Sequence, residues 1–75
     1  MVELVRYIAR SLVEKPDAVD VREVENADSV VIELRVDADD MGKVIGKQGR
    51  IAKAIRTVVK AASSNSPKPV FVEII

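Results

Sequence analysis

The glycines of this 75-residue chain are concentrated in one short segment that could bind an anion. All three lie within a stretch of eight residues, at Gly42, Gly46 and Gly49. The last two flank Lys47 and Gln48, and a glycine pair of this kind lets a bulky partner approach the main chain without meeting a Cβ. A helix that begins after such a segment presents free N–H groups and a positive dipole end. The segment therefore predicts a site for a sugar-phosphate backbone.

The charged residues are divided unevenly between the two halves of the chain. The net charge is zero, but residues 1–40 contain five basic and eleven acidic residues, a net charge of −6. Residues 41–75 contain seven basic residues and one acidic residue, a net charge of +6. Three of these basic residues, Lys43, Lys47 and Arg50, surround the glycine segment. This asymmetry predicts one surface suited to an anionic partner.

The missing residue types exclude several kinds of chemistry. The chain has no cysteine and no histidine, which removes disulfides, thiolate nucleophiles, zinc–thiolate sites and the commonest general base. Asp37, Asp39 and Asp40 could suggest a magnesium site, but roles at a strand end and in helix capping are favoured. We therefore expect no enzyme activity, no cofactor and no metal.

The length and the hydrophobic pattern limit the organisation of the chain. A chain of this size has enough surface to bury for one core, so residues 1–75 are expected to form a single domain. No apolar run approaches the roughly 20 residues that span a bilayer, and the first residues lack the pattern of a signal peptide. We expect a cytoplasmic protein without a membrane partner.

The first half of the chain has the periodicity of one helix and a β-hairpin. A helix is predicted from Val2 to about Glu14, ending before a proline that cannot donate an N–H. A short strand is predicted from Val19 to Val24, where the alternation slips by one after Glu23 and indicates a bulge or an early end. Turn residues 26–29 then lead into the clearest strand, Val30 to Val36.

The second half has the pattern of two helices and a strand. The predicted elements are a cap at Asp39 or Asp40, a short helix from Asp40 to Ile45, a second helix from Gly49 to Ala62 and a strand from Val70 to Ile75. The second helix has an apolar side and a basic side, formed by Ile51, Ile55, Val58, Val59 and Ala62 and by Arg50, Lys53, Arg56 and Lys60 respectively. The expected fold is α+β with the order α-β-β-α-α-β, in which helices cover one face of a three-stranded mixed sheet.

The run Val44-Ile45-Gly46-Lys47-Gln48-Gly49-Arg50-Ile51 resembles the I-G-x-x-G signature of the KH-domain family. The element order resembles the type II, or prokaryotic, KH topology, and the resemblance covers essentially the whole chain. It implies that Gly46 to Gly49 clamp the backbone of single-stranded RNA while bases lie in an apolar groove. The RNA-binding residues that it implies are Lys43, Val44, Ile45, Gly46, Lys47, Gln48, Gly49, Arg50, Ile51 and Lys53.

The resemblance also implies a groove, partners and a cellular role. The residues expected to line the groove or support its floor are Val44, Ile45, Ile51 and Ile55, with Leu34 or Val36 from the strand. The only aromatic residues, Tyr7 and Phe71, leave little material for stacking bases on rings. The implied partners are a second copy of the chain or a second KH protein. The implied role is that of an RNA chaperone in post-transcriptional regulation linked to cell shape, elongation and division.

The glycine motif and the basic helix face each have a simpler interpretation, and the chain has an alternative function. A G-x-x-G motif in isolation usually marks a helix end, and a basic helix face is usually only solvated. On this helix, Arg50 and Lys53 are expected to contact RNA and Lys60 is not. The alternative function is a protein-interaction or dimerisation module with little intrinsic affinity for RNA. One small domain contacts few nucleotides, so dimerisation and RNA binding would complement each other.

Overall fold

A computed structural model describes the backbone of residues 1–75 and the side chains of all residues except Ile45, Lys47 and Gln48. The elements are helix α1 (Val2–Leu12), a 3₁₀ turn (Pro16–Ala18), strands β1 (Asp20–Glu25) and β2 (Val30–Arg35), helix α2 (Ala38–Ala62) and strand β3 (Val70–Ile74). The predicted α+β class is confirmed.

The three strands form one mixed sheet in the order β1-β2-β3. β1 pairs with β2 in the antiparallel sense, and β2 pairs with β3 in the parallel sense, as the crossover connection requires. The β1–β2 pairing runs without interruption to the end of β1, so the slip after Glu23 produces neither a bulge nor an early end. It instead puts Val24 opposite Val31, on the face that the helices leave open.

Helices α1 and α2 pack on the other face of this sheet and enclose the core. The buried hydrophobic residues form one cluster, consisting of Val5, Ala9, Val19, Val21, Ile32, Leu34, Val36, Val44, Ala52, Ile55, Val59 and Val72. Ile32 and Leu34 of the central strand are fully buried, because the strand has neighbours on both sides and helices above it. The predicted sheet with helices on a single face is confirmed.

Helix α1 ends earlier than its apolar pattern indicates. Val13 is already extended, with φ −101° and ψ 160°, so the helix stops at Leu12 rather than at Glu14. Leu12 is 45% exposed and does not belong to the core. Pro16 then opens the 3₁₀ turn, where its fixed φ suits the first position and its missing N–H is not needed.

Helix α2 replaces the two helices expected from the sequence. Its helical span continues from Ala38 to Ala62, and the glycine segment lies inside it. At the predicted break, the helix contains Gly49, whose φ of 67° is left-handed. Glycine adopts this angle without a steric penalty, so a change in backbone direction can be confined to one residue.

The cap and the apolar face of α2 also differ from the prediction. Asp37 is the N-cap, and its carboxylate accepts the N–H of Asp39 at 2.9 Å, whereas Asp40 is buried. Val58 and Ala62 are exposed although the helical period puts them on the apolar side. A three-stranded sheet is narrow, and it covers only the stripe of α2 that contains Val59 and Ile55.

Candidate nucleic-acid interface

The glycine segment of α2 leaves its main chain open to a partner. Gly46 and Gly49 are half-buried, yet outside the adjoining residues and helix backbone, a Cβ added at either one would meet no described atom within 4 Å. The described residues therefore leave the backbone accessible there, and a nucleotide could approach it. At Gly49 the left-handed φ adds a conformational requirement that other residues meet poorly.

Basic side chains follow the glycine segment along α2. Arg50, Lys53, Arg56 and Lys60 are all exposed, and no acidic residue occurs in the sequence between Asp40 and Glu73. Among the described side chains of this helix, Lys43 is the only cation in an ion pair. The cations beyond Gly49 are therefore available to an anionic backbone.

The apolar residues implied by the KH resemblance fall into two groups. Val44 and Ile55 are fully buried, and Leu34 and Val36 also belong to the core, so these four are not exposed to a bound base. Ile51 is half-buried and packs against the core edge, where part of its surface is accessible. The predicted contacts of Ile45, Lys47 and Gln48 concern side chains outside the described residues.

An apolar groove lies farther along α2, between its C-terminal half and β3. Its volume is about 560 Å³. Val59, Val70 and Val72 form its apolar wall, while Arg56 and Lys60 from the helix and Phe71 from the strand also line it. At about 1.5 Å per helical residue, Arg56 lies about 10 Å along the axis from Gly49. The groove therefore lies within reach of a nucleotide chain held at the glycine segment.

This groove is not predicted by the sequence pattern. The prediction that Lys60 makes no RNA contact stays a prediction, and Val59 and Phe71 are not among the predicted site residues. Their juxtaposition depends on β3 lying beside α2, which helical periodicity alone does not reveal. The crossover connection could have predicted this contact, since it places the final strand against the helix that precedes it.

The opposite end of α2 is acidic and is joined to the chain that follows α1. The buried Asp40 carboxylate accepts the backbone N–H of Glu14 at 3.1 Å and that of Lys15 at 3.0 Å. Lys15 Nζ lies 2.6 Å from Asp39 Oδ2. Its hydrogen bond to Asp39 and the nearby charge of Asp37 raise the pKa of Lys15 above its ordinary value of 10.5.

The Asp and Glu side chains of the described residues form no group that could hold a metal ion. None of the helices in this part of the chain combines the length and the hydrophobicity needed to cross a bilayer.

Comparisons with known proteins concern the fold and the family of the chain. Crystallised Era in complex with MgGDPNP and nucleotides 1506–1542 of 16S ribosomal RNA has a similar fold, with a TM-score of 0.60 and 25% sequence identity. The match covers 99% of this chain and 30% of the Era chain, so it concerns one part of Era.

Curated relatives match over nearly their whole lengths. The chain is 64% identical to the RNA-binding protein KhpA of Clostridium perfringens, over 100% of both chains. It is 49% identical to the RNA-binding protein KhpA of Aquifex aeolicus, over 97% of this chain and 92% of the relative. The family model described as the KH domain of KhpA/KhpB matches residues 2–74. The chain belongs to the KhpA/KhpB family of KH domains.

Proposed function

We propose that this chain is a non-catalytic, single-domain protein that clamps the backbone of single-stranded RNA with Gly46 to Gly49. One observation carries the proposal: the open main chain at Gly46 and Gly49 is followed along α2 by exposed cations without an intervening acidic residue. Exposed backbone and mobile positive charge at one place suit a phosphate chain. The relatives named RNA-binding protein KhpA, and Era crystallised with ribosomal RNA, support an RNA partner.

The groove between α2 and β3 supplies the second part of the proposed site. Bases that leave the clamp would enter it, where Val59 and Val72 offer an apolar wall. Arg56 can contact a phosphate or lie flat against a base, and Phe71 offers a ring for stacking. This arrangement needs few aromatic residues, in agreement with a chain that contains one Phe and one Tyr.

Useful affinity would come from a second domain. Few nucleotides fit one clamp, and two linked clamps raise the effective concentration of each for the same RNA. We therefore infer that the chain acts as a homodimer or with a second, KhpB-like KH protein. The corresponding cellular role is that of a cytoplasmic RNA chaperone in post-transcriptional regulation, linked to cell shape, elongation and division.

The alternative function is a protein-interaction module with little RNA affinity. It is favoured by a row of apolar residues across the open face of the sheet, Val24, Val31 and Phe71. Val24 and Phe71 are 41% and 56% exposed. An uncovered row of this kind is a common feature of protein contacts.

The test replaces the two residues between the glycines by acids. The variant Lys47→Asp/Gln48→Asp should lower the affinity for a single-stranded RNA by about ten-fold or more, because two new carboxylates would repel the phosphates. Affinity would be measured by fluorescence anisotropy, with circular dichroism and light scattering to follow folding and size. The variant Arg22→Asp/Asn26→Asp changes the net charge by the same amount on β1 and the hairpin turn, and it serves as the control.

The two functions predict different outcomes for this pair of variants. Loss of RNA binding in the glycine-segment variant alone, with size unchanged, supports the clamp. If both variants bind RNA as tightly as the wild type does, the clamp is rejected and the interaction module is favoured.

A further inference from the structure

We propose that Glu14 competes with RNA for Lys43, so that bound RNA extends from the glycine segment towards the cationic half of α2 only. The proposal rests on the proposed RNA-binding function and concerns which cations of the site RNA can use. It changes the role of Lys43, whose position three residues before Gly46 otherwise makes it an obvious phosphate ligand.

The position of Glu14 is fixed by contacts of its main chain. The Asp40 carboxylate is 1% exposed and accepts the N–H groups of Glu14 and Lys15, at 3.1 and 3.0 Å. The side chain of Lys15 also forms an ion pair with Asp39. The segment that follows α1 is therefore attached to the first turn of α2 rather than free to move away from it.

This attachment brings the Glu14 side chain to Lys43. Asp40 and Lys43 are three residues apart and so project from the same side of α2. Glu14 Oε1 forms an ion pair with Lys43 Nζ there. Both groups are accessible, with side chains 74% and 46% exposed, so an RNA phosphate could reach the ammonium only by replacing or sharing this carboxylate.

The surroundings make that exchange unfavourable for RNA. Three further carboxylates lie at the start of α2, at Asp37, Asp39 and Asp40, and the backbone of Glu14 is bound to the last of them. Among the described side chains, the cations paired with these four acids are Lys15 and Lys43. A phosphate at Lys43 would displace one anion and remain close to the others. The sequence beyond Gly49 offers exposed cations without such competitors.

The path of the RNA follows from this contrast. An RNA strand held at Gly46 and Gly49 gains no favourable phosphate contact by turning towards α1, where carboxylates outnumber cations. Along Arg50, Lys53 and Arg56 it gains a phosphate contact at successive helical turns and arrives at the groove beside β3. Glu14 therefore sets one boundary of the RNA footprint.

The first experiment removes the competitor. Glu14→Gln should raise the affinity for a single-stranded oligonucleotide by about two- to five-fold, the range expected when an exposed ion pair is released. It should also steepen the log–log dependence of affinity on salt by about 0.7, the value of one added phosphate contact. Glu23→Gln removes the same charge from an exposed residue of β1 and controls for net charge.

The second experiment tests whether the increase in RNA affinity of Glu14→Gln depends on Lys43. Lys43→Gln should lower RNA affinity by a smaller factor in the wild-type background than in the Glu14→Gln background, and the double variant should lose the added salt dependence. Additive effects of the two substitutions would overturn the proposal, as would equal gains in Glu14→Gln and Glu23→Gln.

Failure of this proposal can be separated from failure of the proposed function. If Lys47→Asp/Gln48→Asp abolishes RNA binding while Glu14→Gln has no effect, the clamp stands and the competition is rejected. If Lys47→Asp/Gln48→Asp also binds RNA normally, the proposed RNA site itself is wrong.

Discussion

Asp40 Oδ2 accepts the backbone N–H of Lys15 at 3.0 Å, which joins two residues that are 25 positions apart. The other carboxylate oxygen accepts the N–H of Glu14, so both oxygens are used within the fold. A buried carboxylate with this pattern stabilises the contact between the end of α1 and the start of α2. The helix that contains the glycine segment is thereby attached to the rest of the molecule at its first turn.

Replacing Asp40 by asparagine should destabilise the fold. The amide group keeps one acceptor oxygen but turns an NH₂ donor towards the second N–H, which loses its partner. We expect the free energy of unfolding to fall by about 1–3 kcal/mol, measured by urea denaturation. Asp39→Asn alters an exposed carboxylate of the same turn and should cost less than about 1 kcal/mol. Equal losses in the two variants would contradict the structural role of Asp40.

Two glycines of α2 should respond in opposite ways to alanine. Gly49→Ala forces a side chain into a left-handed φ of 67° and should lower the free energy of unfolding by about 1–2 kcal/mol. Gly42→Ala introduces a better helix former at an exposed position with open space and should raise it by about 0.5–1 kcal/mol. Thermal and urea unfolding of both variants give the measurement, and a stabilising Gly49→Ala would show that its backbone is helical in solution.

Salt should weaken RNA binding in proportion to the number of phosphate contacts. About three to five contacts would give a log–log slope of about −2 to −3.5 on single strands, at about 0.7 per contact. Lys53→Gln should reduce the magnitude of this slope by about 0.7, whereas Arg22→Gln, on the distant strand β1, should leave it as in the wild type. Anisotropy titrations over a potassium chloride series supply the slopes, and a flat response would count against a phosphate-binding clamp.

Phe71 lines the groove and also belongs to the apolar row on the open face of the sheet. Phe71→Ser should reduce RNA affinity by about five-fold or more, the effect of losing one base stacked on a ring. Val24→Ser changes the same apolar row without touching the groove and should bind RNA normally. If both variants keep their RNA affinity but alter the size of the assembly, the row serves a protein partner instead.

Local patterns were sufficient to predict most of the fold. The strand alternation of Val30 to Val36 and the helical period of α1 each reflect a single buried face, and the structure shows both elements. The single helical span Ala38–Ala62 could not be anticipated, since two glycines usually end a helix and the confinement of the break to Gly49 is visible only in the folded backbone.

The site was less predictable because its contacts join distant parts of the chain. The G-x-x-G segment and its cations are contiguous in sequence, so they could be predicted as a candidate site from it. The pairing of Lys43 with Glu14 and the burial of Asp40 depend on residues that are more than 20 positions apart. The groove likewise needs Phe71 beside Lys60, which sequence spacing does not indicate.

The crossover between β2 and β3 has a consequence for the order of folding. Four residues connect β1 to β2, whereas 34 residues, including all of α2, lie between β2 and β3. Closing the short loop loses less chain entropy, so the hairpin can form first and the parallel pairing later. The groove between α2 and β3 is therefore completed only when this late parallel pairing forms, after the hairpin and the helix are in place.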